Sequence, residues 1–279
     1  MPSPLLPDTT LLSLPIPADV GPHRYCELLT PNGHSYARLL RDLNWNAKKF
    51  KRGWRDNAAI CHADPDLRRE NRARAPGWRP TFGQIGVGQI QLSPFGIAPG
   101  DLFLFFGLFR ESSWENGHLR FCPHTRPFHA IYGWLRVAEI MQANDATAAH
   151  NIIARHAWLA DHPHLCDMDY WTKRVTRNGA NTLYVAESGA CGAGTFNYTP
   201  QMRLSSVQHS ASRWNIFPWL AGHDNRHFSR CADAGRLNKD QGIFDTHAGR
   251  WQELVVPSSK YPELSAWAAD LVMSQQQLS

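Results

Sequence analysis

Several familiar signatures are missing from this sequence, and each absence narrows what the chain can be. The apolar run at residues 102–109, LFLFFGLF, falls far short of the roughly 18 residues needed to cross a bilayer. The opening MPSPLLPDTTLLSLPIP has neither the charged start nor the long apolar centre of a secretory signal. Six cysteines, at positions 26, 61, 122, 166, 191 and 231, form no C-x-x-C pair, so reduced thiols are expected. GQIGVGQ is followed by no Lys-Ser/Thr and lacks the G-x-G-x-x-G order, which excludes a phosphate-binding loop. ESGACGAGTF, residues 187–196, has no G-x-S-x-G elbow and reads as a flexible loop. HPHLCDMD offers His162, His164, Cys166, Asp167 and Asp169, but it matches no closed zinc spacing, so a polar loop after a helix is expected. No internal repeat or low-complexity linker divides the chain. The expectation is one soluble, cytoplasmic domain spanning residues 1–279, with no cofactor or metal named by the sequence.

What is present begins with an ordinary globular balance, 43% hydrophobic and 19% charged, which is compatible with a sizeable core. Eleven tryptophans supply flat surfaces that fill a core or stack on planar ligands. Charge is uneven. Between Arg38 and Arg79 twelve Arg and Lys face five Asp and Glu, a net +7 in a chain whose total is +5. Trp45, Phe50, Trp54 and Trp78 are interleaved with this basic stretch. Cations alternating with aromatics suit phosphates and stacked bases, and Lys48, Lys49, Lys51, Arg52 and Arg55 are the nucleic-acid-binding candidates. The competing reading is a solvated helix face whose aromatics point inward.

The hydrophobic pattern predicts a helix over 36–54, with Leu39, Leu40, Leu43 and Ala47 on one face. HADPDLRREN reads as a helix start with Asp64 as N-cap and Pro65 in the first turn. TFGQIGVGQIQL is expected to be a short helix. Residues 102–109 read as a strand buried on both faces, and RESSWENGHLRFCPHTRP as a polar connection. FHAIYGWLRVAEI is a second strand, bent or bulged near Gly133. A helix over 146–160, later strands at NTLYVAE, RLSSV and RWQELVVP, and a C-terminal helix at PELSAWAADLVM complete the reading.

His62, Asp64 and Asp66 alternate, so an extended backbone would point all three one way. An imidazole beside two carboxylates suits general acid–base chemistry, and these three are the catalytic candidates if the protein is an enzyme.

PSPLLPDTTLLSLPIP, CHADPDLR, PGWRPTFGQIG, GDLFLFFGLFR, FHAIYGWLRVAEI, NTLYVA and GRWQELVV together resemble the third of the nucleotide modification associated domains. The resemblance spans nearly the whole chain. It implies an association with hypermodified bases in bacterial and phage DNA, without naming a reaction. Two departures accompany it. The family's first strand and its glycine-containing loop would precede Met1, and residues 1–17 are therefore expected to run along a sheet edge. Arg250-Trp251-Gln252-Glu253-Leu254 carries tryptophan where the family has glycine. A weaker architectural resemblance to PUA-like barrels, including ASCH and EVE domains, implies an α+β fold: a mixed, partly closed PUA-like β-barrel core with several peripheral helices.

Two functions follow as expectations. The first is recognition of a nucleotide or modified DNA base, with Arg79, Phe82, Gln84, Phe109, Arg110, His129 and Tyr132 as ligand-binding candidates: aromatics for stacking, Gln and Arg for base edges. The second is a hydrolase or transferase acting on a nucleotide through His62, Asp64 and Asp66.

Overall fold

The fold was obtained as a computed structural model, which describes residues 1–43, 59–175, 180–224, 226–227, 236–246 and 254–276. Its strands in chain order are β1 Ser3–Leu5, β2 Ile16–Pro17, β3 His23–Arg24, β4 Ile60–His62, β5 Thr81–Gln84, β6 Leu102–Glu115 and β7 His118–Phe121. There follow β8 Phe128–Gln142, β9 Thr182–Ala186, β10 Ala193–Thr195, β11 Arg213–Asn215, β12 Leu237–Asn238 and β13 Ile243–Asp245. The helices are α1 Tyr36–Asp42, α2 Val87–Leu92, α3 Ala146–Arg155, α4 Met168–Thr172 and α5 Glu263–Gln276.

A mixed seven-stranded sheet organises the chain in the order β1-β6-β8-β9-β5, with β7 added to β6 and β10 to β8. The class is α+β, as expected. The path has two ends, β1 and β5, so the described residues form no closed barrel. β1 pairs in parallel with β6 at one end, a position where Pro4 and its missing N–H are tolerated. No helix among the described residues is long and apolar enough to cross a membrane.

Local chemistry explains the two long strands. β6 does not stop at Phe109 but continues to Glu115, and an Asn116–Gly117 turn with φ of 51° and 77° folds it back onto β7. The expected polar connection is therefore a hairpin, and Asn-Gly is the pair that a tight turn with two positive φ values favours. β8 is the more deeply buried strand, with Phe128 to Leu135 all inside, whereas Leu102 to Leu108 of β6 are only half-buried. The bend near Gly133 is present. Phe105 pairs with Gly133 and Phe106 with Ile131, which leaves Tyr132 as the extra residue of a bulge.

Elsewhere the helix expected over TFGQIGVGQIQL divides into β5 and α2. Helix α1 starts where Ser35 accepts the Arg38 N–H at 3.3 Å, and it buries Leu39 and Leu40 against Leu12, Leu28 and Leu119. Its expected continuation, with Ala47, lies outside the described residues. Helix α3 is capped by Asp145, which accepts the Ala148 N–H at 2.8 Å, and packs Ile152 with Met141, Leu183 and Val185 on one side of the sheet. A larger core joins Phe109, Phe128, Trp134 and Tyr184 of the sheet to Trp214, Phe217, Trp219 and α5. RLSSV forms two isolated bridges and no strand.

Candidate functional site

The outer edge of β5 is where the chemistry-bearing residues gather. β9 covers one side of β5. On the other side Asp64 and Asp66 take the place of a neighbouring strand. Asp66 and Thr81 exchange backbone hydrogen bonds at 2.8 and 3.2 Å, and the next outward N–H, that of Gly83, donates to Asp64 Oδ1 at 2.9 Å. Asp64 therefore begins no helix. Its carboxylate completes the edge of a sheet, because an unpaired strand N–H needs an acceptor.

Behind this edge lies a packed histidine cluster. Thr81 and Gly83 face it, while Phe82 and Gln84 face the opposite side of the sheet, as strand alternation requires. His164 Nε2 lies 3.3 Å from Asp64 Oδ2. Its Nδ1 donates to Asn181 Oδ1 at 2.6 Å, and the Asn181 amide is oriented by donating to the carbonyls of Ala143 and His164. The His164 ring stacks on Trp171 at 4.7 Å. His162 accepts the His164 N–H at Nδ1 and donates from Nε2 to Thr81 Oγ1, both at 3.1 Å. Burial drives its proton affinity well below the usual imidazole range, reinforced by neighbouring cations and imidazoles. His62 donates Nε2–H to the Val20 carbonyl at 3.0 Å, and burial lowers its pKa too, against opposing pulls from Val20 and Asp64.

The three catalytic candidates thus part company. Asp64 meets His164, the His62 ring lies 6.2 Å from that imidazole with its Nε2 committed to Val20, and Asp66 is turned away. Its carboxylate, 4% exposed, accepts from Arg72 at 2.9 Å and from both terminal nitrogens of Arg74 at 2.6 and 2.7 Å. Arg74 also donates to the Arg68 and Arg69 carbonyls and lies 4.1 Å over the Trp78 ring. Asp66 is the anchor of a brace that shapes residues 66–78.

In front of the brace opens a cleft of about 840 Å³. Arg68, Arg69, Glu70, Trp78 and Arg79 form one wall; Glu187 to Ala190 and Ala193 to Thr195 form the other. Arg79 is the one ligand-binding candidate on this lining. It donates to Glu139 and, at 3.4 Å, to the Ala186 carbonyl. Phe82 and Tyr132 are linked through Phe105, at ring distances of 5.1 and 6.3 Å. Phe109 is fully buried against Tyr132, and burial holds the Tyr132 hydroxyl up to about 12. Gln84 packs beside Gly88, where an added Cβ would lie 2.5 Å from its amide carbon. Arg110 donates to the Cys122 carbonyl and to Thr125, and it lies over Phe121, bracing the hairpin. His129 is buried, accepts the Trp214 indole N–H at 2.9 Å, and is pushed down to about 4 by that burial. Lys48, Lys49, Lys51, Arg52 and Arg55 lie outside the described residues.

HPHLCDMD, expected as a polar loop, instead buries His162 and His164, and nothing in its spacing points to Gly83, Asp64 and Asn181, which come from other elements. The cleft's second wall, Glu187 to Thr195, was hidden in a glycine-rich stretch without a recognisable motif. Its signal was local: a lone acid directly after a buried strand, followed by Gly189, Ala190, Gly192, Ala193 and Gly194. Among the described residues no group of three or more His, Cys, Asp or Glu is arranged to hold a metal ion.

No curated protein and no solved structure matches the chain. A family model does match, over residues 1–257, and it covers the β5 edge, the histidine cluster and both walls of the cleft. This chain belongs to the nucleotide modification associated domain 3 family.

Proposed function

We propose that this protein recognises a nucleotide or modified base, as part of a nucleotide modification system, in the cleft between residues 68–79 and 187–195. The single observation that carries the reading is the guanidinium–aromatic wall. Three arginines, Arg68, Arg69 and Arg79, share it with Trp78, and Arg74 holds the Trp78 ring in place from behind. A cleft of this volume accommodates a small ligand, arginine is suited to phosphate, and an indole offers a stacking surface for a base. Arg79 enters as a member of this wall; Phe82 and Tyr132 belong to an aromatic layer on the sheet face, and Gln84 packs beside Gly88. The basic stretch at 48–55 would add non-specific attraction to a phosphate backbone.

The second reading, a hydrolase or transferase using His62, Asp64 and Asp66, draws support from the pairing of Asp64 with His164, beside which His62 lies. It is weakened by the commitment of Asp66 to two arginines and by the burial of the cluster. Quenching of tryptophan fluorescence on titration with mononucleotides and with modified and unmodified oligonucleotides, at two salt concentrations, tests the favoured reading. Binding that Trp78→Ala weakens by about tenfold or more is expected, from a stacking contribution of roughly 1–3 kcal/mol. Absence of any binding at low salt refutes it.

A further inference from the structure

We propose that the cleft selects a single nucleotide whose base carries an exocyclic amine, with Arg69 meeting the phosphate and Glu187 accepting the amine. The proposal rests on the reading of this cleft as the nucleotide site.

Arg68 is paired with Glu70 at 3.3 Å, and Arg79 with Glu139. Two groups on the lining are left over. The Arg69 guanidinium makes no hydrogen bond or ion pair among the described residues and lies 5.9 Å over the Trp78 ring. The Glu187 carboxylate, on the opposite wall, is likewise without a partner among the described residues. One unmatched cation and one unmatched anion make a poor host for a polyphosphate. Each additional negative charge would meet a carboxylate and two arginines already neutralised. The pair suits a ligand with one phosphate and, elsewhere, a hydrogen-bond donor.

Glu187 is placed to discriminate because its backbone is held from two directions. Its N–H donates to the Arg136 carbonyl at 2.9 Å. Its own carbonyl is so close to Gly192 that a Cβ there would sit 1.9 Å from the oxygen. A carboxylate only accepts hydrogen bonds. It gains from the amino groups of cytosine, adenine or guanine. Opposite the O4 of thymine or uracil it would face a second acceptor, and that repulsion excludes as well as selects. A free nucleotide and a nucleotide turned out of a strand present the same chemistry, so both sources enter the test.

Calorimetric titration of the whole protein with dCMP, dAMP, dTMP and dCTP, then with dC- and dT-containing single strands, decides the matter. The expected result is about tenfold tighter binding of dCMP and dAMP than of dTMP, from one good carboxylate–amine contact. dCTP should gain nothing over dCMP. Glu187→Gln should erase the preference by weakening dCMP and dAMP and, with the repulsion relieved, tightening dTMP, and Arg69→Gln should weaken every ligand; unaltered melting temperatures would show both variants folded. A preference seen only with strands, and lost in Glu187→Gln, supports the proposal with an extruded nucleotide as the source. Equal affinity of the unmutated protein for dCMP and dTMP overturns amine selection while leaving nucleotide recognition standing. No binding of any of these ligands at low salt overturns recognition itself.

Discussion

Replacing Asp66 by alanine removes the one acceptor that two buried guanidiniums share. The Asp66 and Arg74 side chains are 4% and 3% exposed and Arg72 is 11% exposed, so none can recover full hydration in place. Breaking a buried ion pair by deleting one partner costs about 3–5 kcal/mol, because the surviving charge stays out of water. Arg72 keeps Asp161 at 3.2 Å and Arg74 keeps two backbone carbonyls, which places the loss near the lower end, about 3 kcal/mol. For a chain of this length that is a fall in melting temperature of about 6–12 °C, at roughly 2–4 °C per kcal/mol. Circular dichroism melts of the unmutated protein and of Asp66→Ala measure it. A second variant separates charge from shape. In Asp66→Ala with Arg74→Met the stranded cation is gone, and a flexible apolar chain of similar length still covers Trp78. The double variant is therefore expected to melt above the single one. Were Asp66 purely catalytic, turnover would vanish with no change in melting. A single variant within 1 °C of the unmutated protein, or a double variant less stable than Asp66→Ala, would refute the brace.

Two further outcomes follow from the burial around β5 and β8. His129 is neutral in the fold at a pH where the unfolded chain carries the charge: its value is about 4, against an ordinary 6.5. A lowered histidine pKa stabilises the fold above about 6.5, and that contribution is lost as pH falls towards 4; for His129 alone the loss by pH 5 is about 2 kcal/mol. His23, His62 and His162 shift in the same direction, each mainly through burial, so urea midpoints should drop between pH 7.5 and pH 5, and equal midpoints would contradict the burial argument. Gly83→Ala would place a Cβ 2.7 to 2.9 Å from three atoms of the His164 ring, a ring wedged against Trp171, so a loss of about 1–3 kcal/mol is expected in the same assay; a neutral substitution would mean that the ring moves aside freely.

How much of this could be read from the sequence depended on whether the deciding partner was near in the chain. Strand β9, helix α5 and the bend at Gly133 were readable because periodicity and one glycine specify them locally. The β6–β7 hairpin was just as local, and Asn116–Gly117 announces it, but the surrounding Arg, Glu and Ser masked a strand that is only half-buried. Asp64 shows the opposite case. Its position before Pro65 is a sound helix-start signal, yet the carboxylate finds Gly83, 19 residues away, and a sheet edge in need of an acceptor outweighs a cap. For the same reason the alternation of His62, Asp64 and Asp66 predicted a shared direction, whereas the two arginines at 72 and 74 claim Asp66 for themselves. Of the ligand-binding candidates Arg79 reached the cleft. Phe109 and His129 were drawn into the core by their own hydrophobic surroundings, which composition could not distinguish from a stacking role.

The brace and the cleft are therefore one structure seen from two sides. Asp66 orders Arg74, Arg74 fixes the carbonyls of Arg68 and Arg69 and backs Trp78, and the side chains of Arg68 and Arg69 project from a segment that has no regular hydrogen-bonded element of its own beyond a single 3₁₀ turn at Arg69–Asn71. A short irregular segment keeps a precise shape only when its surroundings over-determine it. Here a buried carboxylate supplies that constraint in place of a helix or strand. The basic character of residues 66–79 thus divides between two roles, and burial is what separates them. Arg72 and Arg74, held inside, set the shape, while Arg69, exposed and without a partner among the described residues, is the cation that the proposed ligand would meet.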